Sequence, residues 1–568
     1  MKHIGRFVVI IIIGFAFFVF GQDKAGRIYW GDDVPEGWNG SWPAEFQVVP
    51  EKTNYERTTS SYQVHEFIDE LKWHSENMFV FQMFITDLRK VCPAVVMANP
   101  RITSPEEARE SGKPVIYLQG NIHPPEAEGK EAILMVMRNI LLGDQKHLLD
   151  NQIIICCPNF NPDGNDTWAT RDGTPHIIGT RHDASDYDLN RDAVKLETTN
   201  VRGLYQNVLN TWDPVLLFDA HAMGRVKHGY AIVYATSTVP AAHPEPRGYV
   251  WETLFPALRT SVRKNYGLEI FSHCLFDEQN WPPTVWSHDL AWWTVEGKFV
   301  ANAYGLRNRM SILVETPGHP SFERKIYAQY AFIMELLKYT NREGGEMLRI
   351  CREADADVVH RIRTKGASGQ LTNYVEGKYE SWGKIDLLAY PKNEAEYIPG
   401  KSVRQTVPGM AEGPPDVCQG VDHLAKPVGT KEATVPRGYL IPGELKSIVD
   451  RLVVHGIQID TLNRPTVFSG EEYVIDKRVR TKKGGYDMTR LEGGFLQSQR
   501  KEFPAGTVRI DMAQPRANMI FYCLEPEVGD GFVGWNLFND YLDSLDVEKH
   551  SVVYPVFKYL KIHDTESP

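Results

Sequence analysis

A chain of 568 residues exceeds what one hydrophobic core usually supports, so two or more domains are expected. Hydrophobic residues at 42% and charged residues at 24% are ordinary for a soluble globular protein. The formal net charge of -11 argues against nucleic acid or an anionic membrane as the main partner.

Lys2, His3 and Arg6 precede an unbroken apolar run, Phe7 to Phe20, which ends at Gly21-Gln22-Asp23. A positive start, a short apolar stretch and a small residue at the break mark a secretory signal. The run of 14 residues is short of the roughly 20 that a helix needs to cross a bilayer. Residues 1–21 are therefore expected to be a signal peptide. The mature chain is expected to be secreted or periplasmic, with no stable membrane insertion. Residues 22–54 follow as an N-terminal segment.

From about Tyr62 the pattern alternates between helical and extended. Val64, Phe67, Ile68 and Leu71 recur at helical spacing, and Met78 to Phe84 reads as strand. Pro114 to Gln119 is a short apolar run closed by Gly120, and Glu126 to Leu142 is a long helical pattern. Further buried-strand candidates are Gln152–Cys157, Val215–Asp219, Ala231–Tyr234 and Ser311–Glu315. This alternation predicts an α/β domain over 55–345, with a mixed, mainly parallel twisted sheet flanked by helices.

The stretch 346–435 reads as an irregular connecting region, rich after residue 365 in Gly, Pro, Lys and Asp. Residues 436–568 read as a β-rich accessory domain led by one helix at Pro442–His455. Its short strand candidates are Gly456–Ile459, Thr466–Phe468, Tyr473–Ile475, Thr507–Asp511 and Met519–Cys523. Turns are expected at Lys483-Gly484-Gly485 and Glu492-Gly493-Gly494. The seven cysteines contain no CxxC pair, and Cys156 and Cys157 read as two core thiols on opposite faces of a strand.

In open α/β sheets, sites form beyond the carboxyl ends of strands. After Gln119 come Gly120-Asn121-Ile122-His123-Pro124-Pro125-Glu126, after Phe218 come Asp219-Ala220-His221, and after Val314 comes Glu315. Two histidines and a carboxylate make a three-ligand zinc site that keeps one position for water. Pro124 and Pro125 keep His123 out of regular helix and suit the start of a helix near Glu126. Each piece is weak alone. With 18 histidines, about one HxxE match is expected by chance, and His563-Asp564-Thr565-Glu566 is such a background match. His221 alone fits a hydrogen-bonded strand-end histidine, and Glu315 alone a paired core carboxylate.

The order of the elements is more specific. His123-x-x-Glu126, Asn161-Pro162-Asp163-Gly164, Asp188-Leu189-Asn190-Arg191, His221 and Glu315 together resemble the zinc metallocarboxypeptidase family of carboxypeptidase A type. Gly129-Lys130-Glu131-Ala132 and Gly305-Leu306-Arg307-Asn308-Arg309 are similar to phrases of its large exported bacterial members. The resemblance runs from about Tyr55 to about Asn341. A softer match covers Glu525-Pro526-Glu527 to Trp535-Asn536.

The resemblance implies that His123, Glu126 and His221 hold one Zn2+ and that Glu315 is the general base. It implies that Asn190 and Arg191 hold the substrate's terminal carboxylate, and that Asp188 accepts a hydrogen bond from a zinc-bound histidine, His123. An upstream arginine would stabilise the oxyanion: Arg181 is preferred, with Arg171 the alternative. The family's mobile tyrosine has no assigned counterpart, Tyr304 being nearest. The expected function is hydrolysis of C-terminal peptide bonds on peptides or proteins. Alternatives are a zinc amidase or endopeptidase acting on cell-wall peptides, and a non-catalytic binding protein. The aromatic loop 270–310, with Trp281, Trp286, Trp292 and Trp293, is read as packing on the accessory domain or lining a specificity pocket. The segment between Gln22 and Tyr55 is too short for a large inhibitory pro-domain.

Overall fold

The structure is a computed structural model that describes residues 27–171, 173–224, 226–277, 280–291, 293–391, 414–545 and 552–563. The expected signal segment lies outside the described residues. Ser60 starts the first long helix, α1 (Ser61–His74), through a reciprocal cap. Its hydroxyl accepts from the Gln63 N–H at 3.2 Å, and the Gln63 side chain accepts from the Ser60 N–H at 3.0 Å. Val64, Phe67, Ile68 and Leu71 fall on one face of α1 and are buried.

An eight-stranded sheet follows, made of β1 (Met78–Ile85), β2 (Val91–Met97), β3 (Val115–Gly120), β4 (Ile153–Cys157), β5 (Leu216–Ala222), β6 (Ile232–Ala235), β7 (Ile270–Ser272) and β8 (Met310–Thr316). Its spatial order is β1-β2-β4-β3-β5-β8-β6-β7. The pairs β3/β4, β3/β5, β5/β8 and β6/β7 are parallel, while β1/β2, β2/β4 and β6/β8 are antiparallel. Strands β3, β4, β5 and β8 are near-continuous apolar runs because helices cover both faces. Helix α2 (Glu128–Leu141) packs against β3 and β5, and Gly129 permits it: a Cβ there would lie 2.4 Å from the Ala220 Cβ. All seven cysteines are buried and free, as the apolar setting of Cys156 and Cys157 implied.

The region 346–435 corrects the expectation of irregular chain. Helix α3 (Phe322–Lys365) runs through residue 345 without a break, burying Met347, Cys351, Ala354, Val358 and Ile362 at helical spacing. Gly344 does not end it but meets Pro114, where a Cβ would lie 2.6 Å from the ring. After α3, β9 (Thr372–Ala389) pairs antiparallel with β10 (Asp416–Thr434). Both strands are largely exposed, so backbone pairing rather than an apolar stripe defines them, and the sequence carries little periodicity to read. A short strand, Val285–Ser287, joins the β10 edge.

The C-terminal region is β-rich, with β11 (Gly438–Ile441), β12 (Thr466–Lys483), β13 (Tyr486–Phe503), β14 (Val508–Asp511) and β15 (Phe557–His563) in one sheet. The expected helix is present as α4 (Lys446–Val454). The turn at Lys483-Gly484-Gly485 joins β12 to β13, but Glu492-Gly493-Gly494 lies inside β13, where Gly493 abuts the Val474 carbonyl. Gly456–Ile459 is not a strand. Met519–Cys523 is helix, α5 (Ala517–Leu524), because a short apolar run has no period that separates strand from buried helix. Its buried large side chains, Met519, Phe521 and Leu524 among them, each contribute roughly 1.5–3 kcal/mol of transfer free energy.

One hydrophobic core runs from Tyr117 and Leu217 of the first sheet to Tyr473, Phe521 and Phe532 of the C-terminal region. Arg307 pins that junction: fully buried, it donates to the carbonyls of His455 at 2.9 Å and Leu209 at 3.0 Å. Arg309 bridges Asp213 and Asp355. The phrase Gly305 to Arg309 therefore joins the two halves of the chain. Tyr304 is buried with its hydroxyl on the Pro214 carbonyl, so it serves the core.

Candidate metal centre

Three strand ends converge. Glu315 on β8 is in register with His221 on the adjacent parallel strand β5, so the two side chains stand on the same face. His123 follows β3 in a turn closed by the Glu126 N–H on the His123 carbonyl at 2.9 Å. Helix α2 begins only at Glu128, two residues later than the sequence suggested, which leaves Glu126 in the turn and aimed at both imidazoles.

The Glu126 carboxylate receives both rings. His123 Nδ1 lies 3.1 Å from Oε1 and His221 Nδ1 lies 3.0 Å from Oε2. The opposite ring nitrogens each meet a buried carboxylate: His123 Nε2 is 3.0 Å from Asp188 Oδ1, and His221 Nε2 is 2.9 Å from Asp219 Oδ2. An ionised carboxylate can only accept, so a neutral ring that gives its Nε2 hydrogen to the aspartate turns its Nδ1 lone pair to Glu126, whereas a protonated ring donates from both nitrogens. Two lone-pair nitrogens and a carboxylate facing one another need a shared proton or a cation between them. The three ligand atoms lie within 4.8 Å of one another, and this donor set suits a divalent metal of the zinc type.

Electrostatics agree. Burial would raise the Glu126 carboxyl, but the two imidazoles outweigh it and hold it well below the usual carboxylate range. Burial opposes charge on His221, yet Asp219 and Glu126 raise it well above the ordinary imidazole value. Glu315 is pushed up to about 8, first by burial, with His221 opposing and Glu126 adding repulsion. One of its oxygens, Oε2, is buried with no hydrogen-bond partner.

The Asn161-Pro162-Asp163-Gly164 turn supports the arginine loop. Asn161 Oδ1 accepts from the Gly164 N–H at 2.9 Å, Asn161 Nδ2 donates to the His182 carbonyl at 3.2 Å, and the Thr180 N–H donates to the Gly164 carbonyl at 2.9 Å. Gly179, at φ 64°, passes so close to Pro124 that a Cβ would lie 2.7 Å from its carbonyl carbon. Arg181 is thereby brought to the centre, with Nε on Asp188 Oδ2 at 2.9 Å and Nη1 on Glu126 Oε1 at 3.3 Å. The Arg171 side chain lies outside the described residues.

Asn190 and Arg191 sit on the far side of Asp188. Asn190 Nδ2 is 3.4 Å from His221 Nε2, and Asn190 Oδ1 accepts from the Val300 N–H at 3.0 Å. Arg191 donates to the Asn190 carbonyl at 2.9 Å and lies 4.5 Å over the Phe299 ring. Among the described residues no carboxylate pairs with it within 4 Å, and burial lowers its pKa despite Asp188 nearby. The structure thus brings His123, Glu126, His221, Glu315, Asp188, Arg181, Asn190 and Arg191 to one pole. Sequence reasoning missed Asp219, although its place two residues before His221 on a strand puts both on one face. It also missed Phe299 and Val300, for which no local signal exists. Trp286 and Trp293 pack toward β9 and β10, near Tyr379 and Phe299, whereas Trp281 is half exposed. Trp292 lies outside the described residues.

Known proteins resemble this chain. Residues 97–240 match the model of the zinc carboxypeptidase family. Carboxypeptidase 2 of Trichophyton tonsurans is 23% identical over 458 residues, covering 76% of this chain and 75% of its own. Carboxypeptidase 2 of Trichophyton rubrum is 22% identical over 468 residues, covering 77% and 76%. Among solved structures, a metallo-carboxypeptidase from Burkholderia cenocepacia is similar with a TM-score of 0.37 at 15% identity, covering 50% of this chain and 70% of that one. The family match spans both histidines, Glu126, Arg181 and the Asn190-Arg191 pair, and with the curated relatives it supports a metallopeptidase domain similar to the zinc carboxypeptidases.

Proposed function

We propose that this chain is an exported zinc exopeptidase that removes C-terminal residues, with His123, Glu126 and His221 as the metal ligands. The observation that carries the reading is the convergence of both Nδ1 atoms on Glu126, with each Nε2 anchored by an aspartate. A zinc ion held there would polarise the scissile carbonyl and a water molecule. Glu315, beside His221, would take the proton from that water and pass it to the leaving amine. Arg181 would face the developing oxyanion. Asp188 and Asp219 would fix the two imidazoles. Arg191, without a carboxylate partner of its own, would bind the substrate's terminal carboxylate with Asn190 beside it.

Export rests on the apolar run from Phe7 to Phe20 and its basic start. Among the described residues no helix is long and apolar enough to cross a membrane. The catalytic unit is proposed to span 55–345.

A pair of peptides differing only at the C-terminus tests the exopeptidase reading. The free-acid peptide should be cleaved and its amide should not, and Arg191→Ala should remove the preference by raising KM for the free acid. Equal cleavage of both by the parent enzyme would instead favour a zinc endopeptidase or amidase on the same centre. Freshly purified protein should carry one zinc per chain by elemental analysis.

A further inference from the structure

The segment from Thr294 to Val300 supplies both the ring under Arg191 and the N–H on Asn190. What holds that segment comes from more than two hundred positions downstream. The Gly297 N–H donates to the Tyr522 hydroxyl at 2.7 Å, and the Lys298 N–H donates to Asp530 Oδ2 at 2.8 Å. The Tyr522 hydroxyl is itself bonded to Asp530 Oδ1, so one hydroxyl and one carboxylate hold two consecutive backbone amides. Tyr522 and Asp530 are both buried. Gly297 sits so tightly on the Tyr522 ring that a Cβ would lie 2.7 Å from it. At the β12–β13 turn, Lys483 pairs with Glu296, whose other oxygen takes the Lys298 ammonium at 2.6 Å. From the catalytic side, Asn302 grips the same stretch through the carbonyls of Thr294 at 2.9 Å and Glu296 at 2.8 Å, and the Thr238 hydroxyl donates to the Thr294 carbonyl at 3.3 Å.

We infer that the C-terminal module frames the carboxylate-binding subsite, with Tyr522 and Asp530 as positioning residues that act through the 296–300 backbone on Asn190 and Arg191. Tyr486, the first residue of β13, has its phenol pushed up, first by burial and then by Asp188, with Arg191, Lys195 and Arg181 opposing. Its ring packs on Trp535 at 5.4 Å, and Trp535 in turn faces the Lys195 ammonium at 5.4 Å. The module thus meets the catalytic side both through the 296–300 backbone and at Lys195. A site for a terminal carboxylate needs its guanidinium held to within about half an ångström. The catalytic-side anchors hold the carbonyls of Thr294 and Glu296, and the downstream contacts hold the Gly297 and Lys298 amides next to the clamp. The inference rests on the reading of Asn190-Arg191 as a carboxylate clamp.

Tyr522→Phe removes one hydroxyl from a packed ring, and Lys483→Ala removes one half-exposed ion pair, so the second variant should fold even if the first does not. Each is compared with the parent on a free-acid peptide and its amide, with zinc content and Tm measured alongside. In Tyr522→Phe the KM for the free acid should rise about fivefold, the size of one lost hydrogen bond, with kcat within about twofold and zinc content unchanged. Lys483→Ala should raise KM about twofold, in line with a surface pair. If the parent discriminates and both variants keep its KM, the inference is wrong and the clamp stands. If kcat falls equally on both peptides, the contacts are merely structural and the inference is also wrong. If the parent does not discriminate at all, the clamp reading fails and takes the inference with it.

Discussion

The metal centre and the carboxylate pole lie side by side but are built in different ways. The metal centre comes from strand ends and turns of one mainly parallel sheet, and all its groups lie within the catalytic half of the chain: Asp219 is two residues from His221, Glu126 three from His123, and Asp188 65 beyond His123. The carboxylate pole pairs Asn190 and Arg191 with a backbone segment near 300 that Tyr522 and Asp530 hold. The first is rigid by its own sheet. The second depends on the docking of a distant module through Arg307, Arg516 and the 294–300 stretch. Damage to one should leave the other measurable, and that independence can be broken experimentally.

The largest effect is expected at the reacting end. Glu315→Gln keeps shape and cannot take a proton, so turnover should fall by about 10²–10⁴-fold, the usual contribution of general acid–base catalysis. Zinc content and the KM for a free-acid peptide should stay near the parent values, because neither ligands nor clamp are touched. Turnover within tenfold of the parent would remove Glu315 from the role of base.

Arg307→Ala strikes the junction instead. It strands the buried carbonyls of His455 and Leu209 and leaves a cavity, which together should cost about 3 kcal/mol of stability. Thermal unfolding should come earlier, and KM for free-acid peptides should rise while zinc stays bound. Loss of zinc in step with the rise in KM would mean that the two poles are not independent after all.

The same division explains what could be read from sequence. His123, Glu126, His221 and Glu315 stood out as His or Glu after apolar strand runs, a local pattern weak for each alone and sharpened by the order of the motifs. The parallel sheet was legible for the same reason, as was the helix at 446–454. Helix 322–365 crosses the boundary expected at 345, and Gly344 there serves a close approach to Pro114. Strands β9 and β10 carry no strong alternation since most of their side chains face water. Residues 517–524 were misread as strand because burial on all sides erases the helical period. Tyr522, Asp530 and Phe299 reach the site only through tertiary packing, and nothing near them in sequence says so.

A smaller effect separates the ligands from their supports. Asp219 touches no metal position, yet it sets the His221 tautomer and shares its other oxygen with Gln119 Nε2 at 3.1 Å. Asp219→Ala should weaken zinc binding about 10–100-fold, as loss of such an outer carboxylate does elsewhere. Competition with a chelator of known affinity gives the number. Zinc affinity equal to the parent would show that the β5 backbone alone orients the ring.

The gentlest test is pH. In the metal-free protein, burial disfavours charge on His221, but Asp219 and Glu126 prevail and keep it protonated at neutral pH. Glu315, pushed up to about 8 chiefly by burial, also holds its proton there. Both folded-state values exceed the unfolded ones, so the share of stability that these two groups contribute falls as pH rises toward and through about 8. The buried His228, His273, His288, His423 and His455, all held down by burial, contribute in the opposite sense below about 6.5. Zinc must displace the His221 proton to reach Nδ1, so its affinity should rise with pH, by up to about tenfold per unit for each proton expelled. Calorimetric titration in buffers of different ionisation enthalpy counts those protons directly, and at pH 7 at least one should be released. In Asp219→Ala the His221 proton is no longer held, so the count should drop and the affinity curve flatten. The carboxylate pole has no part in this exchange, and Tyr522→Phe should release as many protons as the parent.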